Sequence, residues 1–173
     1  MDKKEILKWK FDISTFRLIG RELITDRITA LFELVKNSYD ANAQQVNVTF
    51  QNVAPNKDDS LISIKDDGIG MSFEDIRDKW MVIGTSNKRK SPLSPKPFLR
   101  KCVGEKGIGR FAVDKLGDRL SIITKQKGAA NWLKVNINWD LYASNDENSL
   151  QWFTDIESPY EYIPATNIED HGT

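Results

Sequence analysis

The chain has 173 residues, the size of a single domain, and its 25 Lys and Arg balance 25 Asp and Glu, so net charge gives no reason to expect a polyanion binder. A 39% hydrophobic, 29% charged composition is that of a soluble globular chain with a real core; no apolar run nears the roughly 18 residues that cross a bilayer, and Met1–Glu5 lacks the apolar stretch of a signal peptide. One cysteine (Cys102) and one histidine (His171) exclude an internal disulfide framework and a Cys/His zinc cluster, and a reducing cytoplasmic setting is expected.

In chain order, the first clear element is a helix over 25–39. Ile28, Leu31, Phe32 and Val35 recur at helical spacing behind a Thr25/Asp26 capping signal, and Leu31, Phe32 and Val35 are expected to face the core. Val46–Phe50 alternates as a strand does, a turn follows through Ala54–Ser60, and a second strand over Leu61–Lys65 runs into Asp66-Asp67-Gly68-Ile69-Gly70. Ser72 with Asp75 forms a capping pair for a short helix reaching about Met81. From Trp80 to Gly104 there are six basic residues and no acid, and Pro92, Pro95 and Pro97 make this stretch a loop. Gly104–Leu116 reads as a glycine-rich turn entering a helix that Gly117 stops. Strand patterns follow over Arg119–Lys125, through Leu133, Val135, Ile137 and Trp139, and over Leu150–Thr154. Residues 140–173 carry eight acids and no Lys or Arg, which is most simply a solvated acidic surface. The order predicts an α+β two-layer sandwich, with helices on one face of a mixed, largely antiparallel sheet.

Three groups of residues carry chemistry. Glu33, Asn37 and Asp40, spaced by four and three, fall on one helical face; alone, such a polar stripe is ordinary on an amphipathic helix. Asp66-Asp67-Gly68-Ile69-Gly70-Met71 places acids at a strand end before two glycines, either a plain Asp-Gly turn or an acid beside backbone that a flat ligand can approach. Gly104-Glu105-Lys106-Gly107-Ile108-Gly109 precedes a helix, where N–H groups favour phosphate. It is no Rossmann fingerprint, because basic loop rather than strand comes before it, and a GxxxxGK[ST] P-loop occurs nowhere.

Together these groups are specific. The stretch Glu33–Ala41 (ELVKNSYDA), Asp66–Met71, Gly84-Thr85-Ser86-Asn87-Lys88, Gly104–Gly109 and Gly172-Thr173 occur in this order. The series resembles the GHKL ATPases, namely gyrase B, the ninety-kilodalton heat-shock chaperones, histidine kinases and MutL, which share the Bergerat ATP-binding fold. The resemblance runs from about Phe16 to Thr173, and its wording is closest to MutL, type IIB topoisomerase and MORC-type members.

The resemblance implies a role for each matching residue. Glu33 matches the general base that activates water, and Asn37 the amide ligand of Mg²⁺. Asp66 matches the carboxylate that accepts from the adenine amino group, with the Thr173 hydroxyl supporting that contact. Gly104, Gly107 and Gly109 match the phosphate-cradling turn. Asp40, Ala41, Gly68, Gly70, Met71, Thr85, Lys106 and Ile108 belong to the same nucleotide-binding motifs, and Lys88 is a phosphate or lid contact. The basic segment 85–103 is then the ATP lid of a single domain spanning residues 1–173, expected to be an N-terminal fragment of a longer protein.

The implied function is a Mg²⁺-dependent, ATP-binding and ATP-hydrolysing switch that drives lid closure and homodimerisation of a larger remodelling protein. Its client would be nucleic acid or protein, with no membrane partner. Two alternatives stand beside it: a regulatory domain that binds nucleotide without turnover, and a histidine kinase-like catalytic domain. The first sits poorly with Glu33 and Asn37, and the second with a sole histidine beside Gly172-Thr173. A nucleic-acid module built on Lys88–Lys101 is secondary, since Phe98 is the only aromatic there.

Overall fold

The computed structural model describes residues 12, 15, 24, 26–53, 59–83, 92–104, 112–142, 152 and 156–173. Helix α1 spans Arg27–Asp40. Its N-cap is Asp26, whose carboxylate accepts the Thr29 N–H at 2.8 Å and satisfies one of the free donors of the first turn. Strands β1 (Val46–Gln51) and β2 (Leu61–Asp66) form an antiparallel pair, with Val46 opposite Asp66 and Gln51 opposite Leu61. Helix α2 (Phe73–Asp75) starts from a complete Ser72/Asp75 capping box and widens into a π turn over Ile76–Trp80. A short helix, α3 (Ala112–Leu116), precedes a three-stranded antiparallel sheet of β3 (Arg119–Thr124), β4 (Asn131–Asn138) and β5 (Tyr160–Pro164), in that order.

The core lies between the helices and one face of this sheet. Leu133, Val135 and Ile137 alternate inward from β4, Ile122 joins them from β3, and Ala30, Ile76 and Val113 come from the three helices. The arrangement is the expected α+β one, with helices and antiparallel sheets. Every described strand pair is antiparallel, and the strands form two ladders instead of one sheet. Gly172-Thr173 ties the ladders together: the Asp66 N–H donates to the Thr173 carbonyl at 2.8 Å, and Gly172 exchanges two 3.0 Å backbone hydrogen bonds with Lys125.

The expectation that Leu31, Phe32 and Val35 face the core needs correcting at Phe32, while Leu31 and Val35 are half-buried. Ile28 and Phe32 are 68% and 62% exposed, and the buried side of α1 is Ala30, Ser38 and Asp40, with Leu34 packed beside the core. Helix α3 packs against α1, and a small residue, Ala30, lets the helix sit close to the core. Strand β5 was not foreseen: all five of its residues are exposed, and the only alternation, Tyr160-Glu161-Tyr162, is three residues long and runs into Ile163-Pro164. The strand expected over Leu150–Thr154 lies outside the described residues except Trp152, which pairs with Asp12 in an isolated bridge. Residues 54–58 of the expected turn also lie outside them.

Candidate functional site

Three backbone segments meet where β2 ends: the Asp66–Met71 loop, the end of β3 at Thr124-Lys125, and Gly172-Thr173. Their approach leaves no room for side chains at two positions. A Cβ on Gly70 (φ +66°) would lie 2.0 Å from the Lys125 carbonyl oxygen, and one on Gly172 (φ +121°) would lie 2.0 Å from that of Asp66. Thr124, fully buried, sits at the centre. Its hydroxyl oxygen is 2.8 Å from the Met71 nitrogen, 3.0 Å from the Gly172 carbonyl and 2.8 Å from the Thr173 hydroxyl. Lys125 braces the junction from behind. Its buried ammonium donates to the carbonyls of Ala129 (3.1 Å), Asn167 (3.2 Å) and Ile168 (2.9 Å), which compensates its burial and fixes the turn leading to Gly172.

The two adjacent acids differ. Asp66 is half-buried on the same side of β2 as Ile62 and Ile64, and its Oδ1 accepts the Gly68 N–H at 2.9 Å. Asp67 is exposed and turns the other way, where its Oδ1 accepts the N–H groups of Gln45 (2.8 Å) and Gln44 (2.7 Å). The Gln45 N–H, opposed by partial desolvation and helped by the Gln44 N–H, holds the Asp67 carboxyl below its ordinary 3.8. Asp67 therefore locks the connection from α1 to β1, while Asp66 shapes the glycine loop.

Helix α1 is joined to the same loop. The Ala41 carbonyl accepts the Ile69 N–H at 2.9 Å, and a Cβ on Gly68 would come 2.8 Å from that carbonyl oxygen. Along α1, Glu33 is half-buried and accepts from Lys36 Nζ at 2.7 Å, and Asn37 is half-buried one turn further on. Asp40 is buried because it serves backbone: its two oxygens accept the N–H groups of Val103 (2.8 Å) and Gly104 (3.1 Å). Segment 92–104 is held to this helix end by further contacts. The Asn42 amide donates to the carbonyls of Pro95 (2.7 Å) and Lys96 (3.3 Å), and its oxygen accepts from the Ser94 hydroxyl at 2.5 Å. Arg100 donates to the Ala43 carbonyl at 2.6 Å, its guanidinium lying 4.8 Å from the Tyr39 ring centre and 4.6 Å from that of Phe98.

The fold thus gathers Asp40, Ala41, Gly68, Gly70, Met71, Asp66, Gly104 and Thr173 around the end of α1 and the end of β2. Thr85, Lys88, Lys106, Gly107, Ile108 and Gly109 lie outside the described residues. A cavity of about 390 Å³ on the sheet face turned away from the helices is lined by Asn47, Lys65, Asp66, Asp67, Trp132 and His171, and of the residues given a nucleotide-binding role only Asp66 reaches it. Thr124, Lys125, Asn42 and Ser94 were not foreseen. Only Asn42 left a trace in the sequence, as a polar residue with left-handed tolerance just after a helix (φ +64°).

Comparison with known proteins agrees with this arrangement. The family model described as histidine kinase-, DNA gyrase B-, and HSP90-like ATPase matches residues 25–173. A putative type II restriction enzyme, HgiDII, of Herpetosiphon aurantiacus is 30% identical over 103 residues, covering 60% of this chain and 15% of that protein. The chaperone protein HtpG of Sulfurovum sp. is 27% identical over 120 residues, 68% of this chain and 16% of its own. HtpG of Methylorubrum populi is 26% identical over 176 residues, 90% of this chain and 25% of its own. The chain therefore spans a quarter or less of the length of these relatives. With the motifs in order and the match running over nearly all of its length, this chain belongs to the histidine kinase-, gyrase B- and HSP90-like (GHKL) ATPase family.

Proposed function

We propose that the chain is an ATP-binding and ATP-hydrolysing switch module, with adenine at the Asp66–Thr173 junction and the phosphates toward Gly104 and the glycine turn that follows. The observation that carries this reading is the meeting of Asp66, Gly68 and Thr173 at one junction while Ala41 and Asp40 tie that junction's loop and Gly104 to the same helix end. A carboxylate beside glycines suits an amino-bearing flat base, and a glycine-rich sequence ahead of a helix suits phosphate.

Glu33 is then the general base. It stands one helical turn before Asn37, and its pairing with Lys36 keeps the carboxylate on the helix surface. Among the described residues no three His, Cys, Asp or Glu side chains cluster as a metal site. Mg²⁺ would need few protein ligands, keeping phosphates and waters for the rest. Asn37 would supply the amide oxygen to Mg²⁺, and the bound ion would neutralise phosphate charge. Segment 85–103 serves as the lid, its 92–103 portion forming the anchor on α1. Nucleotide-driven closure and pairing of two copies would transmit the switch to a larger protein acting on a nucleic-acid or protein client in the cytoplasm. Relatives named as a chaperone and as a restriction enzyme carry similar stretches, so both kinds of client are compatible with the module.

Glu33→Ala tests the assignment. ATP affinity measured by calorimetry stays close to wild type, because the carboxylate serves the attacking water, while turnover falls by roughly 10²–10⁴. Normal hydrolysis by this variant would remove Glu33 from the mechanism.

A further inference from the structure

Thr124 has one hydroxyl proton and two lone pairs, and it has three polar neighbours. The Met71 N–H can only donate and the Gly172 carbonyl can only accept, so each leaves a single option for the contact it makes. Thr124 accepts from Met71 and gives its proton to Gly172. Its remaining lone pair faces the Thr173 hydroxyl at 2.8 Å, and this contact is satisfied only when Thr173 is the donor. The opposite choice, with Thr124 donating to Thr173, would set the Gly172 carbonyl against a lone pair at 3.0 Å in a site with no solvent access at Thr124.

We infer that Thr124 is a positioning residue for base selection: by taking the Thr173 proton it leaves the Thr173 oxygen an acceptor only. Any base edge that meets Asp66 and Thr173 together then faces two acceptors and no side-chain donor. Such a pair accepts the hydrogens of an exocyclic amino group and opposes a carbonyl at the same position. The inference rests on the nucleotide reading above, and it adds a second determinant to the one implied for Asp66. Thr124 need not touch the base, since it acts by fixing which way its neighbour's hydroxyl points.

The test compares ATP with inosine triphosphate, which replaces the 6-amino group by a carbonyl, in equilibrium titrations of the 173-residue chain. Thr124→Val keeps the shape and removes the hydroxyl, which frees Thr173 to rotate its proton toward a carbonyl. The preference for ATP over inosine triphosphate should narrow by about tenfold, the equivalent of one neutral hydrogen bond, and Thr124→Ser should restore it. In a Thr173→Val background, Thr124→Val should leave the ratio where it was. A purely structural role would weaken both nucleotides together and leave the ratio intact, and that result would overturn the inference. If Thr124→Val does not fold by circular dichroism, Thr124→Ala, which also removes the hydroxyl, decides, a narrowed ratio supporting the inference and an unchanged one overturning it. A wild-type chain that binds ATP no better than inosine triphosphate would overturn the nucleotide reading as well, whereas a wild-type preference untouched in Thr124→Val removes only this inference.

Discussion

The two ends of the candidate site are held together by different materials. At the Asp66–Thr173 end, backbone meets backbone: Gly70 against Lys125, Gly172 against Asp66, and direct amide–carbonyl bonds across the junction. At the Asp40–Gly104 end, side chains reach to backbone, through Asp40, Asn42, Ser94 and Arg100. Apart from the Thr124 hydroxyl that bridges Met71 and Gly172, these contacts have no rotamers to release, and the two glycines tolerate no added atom, so this end yields only when the elements themselves move. A side-chain clasp can open one bond at a time, each bond costing about 1 kcal/mol net. On the function proposed above, the rigid end suits recognition of a base of fixed shape, and the releasable end suits a loop that changes position during a cycle.

Gly70→Ala against Asn42→Ala breaks or sharpens that comparison most strongly. Gly70→Ala drives a methyl into the Lys125 carbonyl at a positive φ, a clash costing roughly 3 kcal/mol or more. Thermal denaturation should show a fall on the order of 10 °C for a chain of this size. Asn42→Ala removes the buried amide that serves Pro95, Lys96 and Ser94, and costs roughly 1–3 kcal/mol. Its loss should concentrate in segment 92–104, read by hydrogen exchange, with the Asp66–Thr173 junction still protected. Equal, global loss of protection in both variants would erase the distinction between the two ends.

A smaller effect separates Asp67 from the site. Its folded-state pKa lies below 3.8, so its contribution to stability is present above that value and is lost as pH falls through the lower folded value. Asp67→Asn should lower stability slightly near neutrality and flatten the acid limb of a stability-versus-pH curve below about pH 4, the two curves converging at low pH. An acid limb identical to wild type would show that the Gln44 and Gln45 contacts contribute nothing to folding.

Much of this was legible in the sequence where the determinants are local. Asp26 capping and the period from Arg27 to Asp40 define α1 within a few residues, and the Ser72/Asp75 box marks α2. Alternation placed β1, β2 and β4. Which side of α1 is buried was not legible, because apolar Ile28 and Phe32 point outward while Asp40 is buried to serve the Val103 and Gly104 amides, which lie over 60 positions away. Thr124 was hidden for the same reason. In Ile122-Ile123-Thr124-Lys125 it reads as an ordinary β-branched strand residue, and its partners Met71 and Thr173 are 53 and 49 positions distant. Strand β5, exposed along its length at a sheet edge, carries no burial pattern to find.

The central claim is that the inward-facing acid of the Asp66-Asp67 pair reads the base, and a paired titration tests it most directly. ATP affinity is measured for Asp66→Ala and Asp67→Ala under identical conditions. Loss of one charge-assisted hydrogen bond should weaken ATP binding to Asp66→Ala by about 10- to 100-fold. Asp67→Ala, which removes an acceptor from Gln44 and Gln45 only, should bind ATP within about twofold of wild type. Weakened binding in Asp67→Ala together with wild-type binding in Asp66→Ala would contradict the account, placing the base on the opposite face of β2.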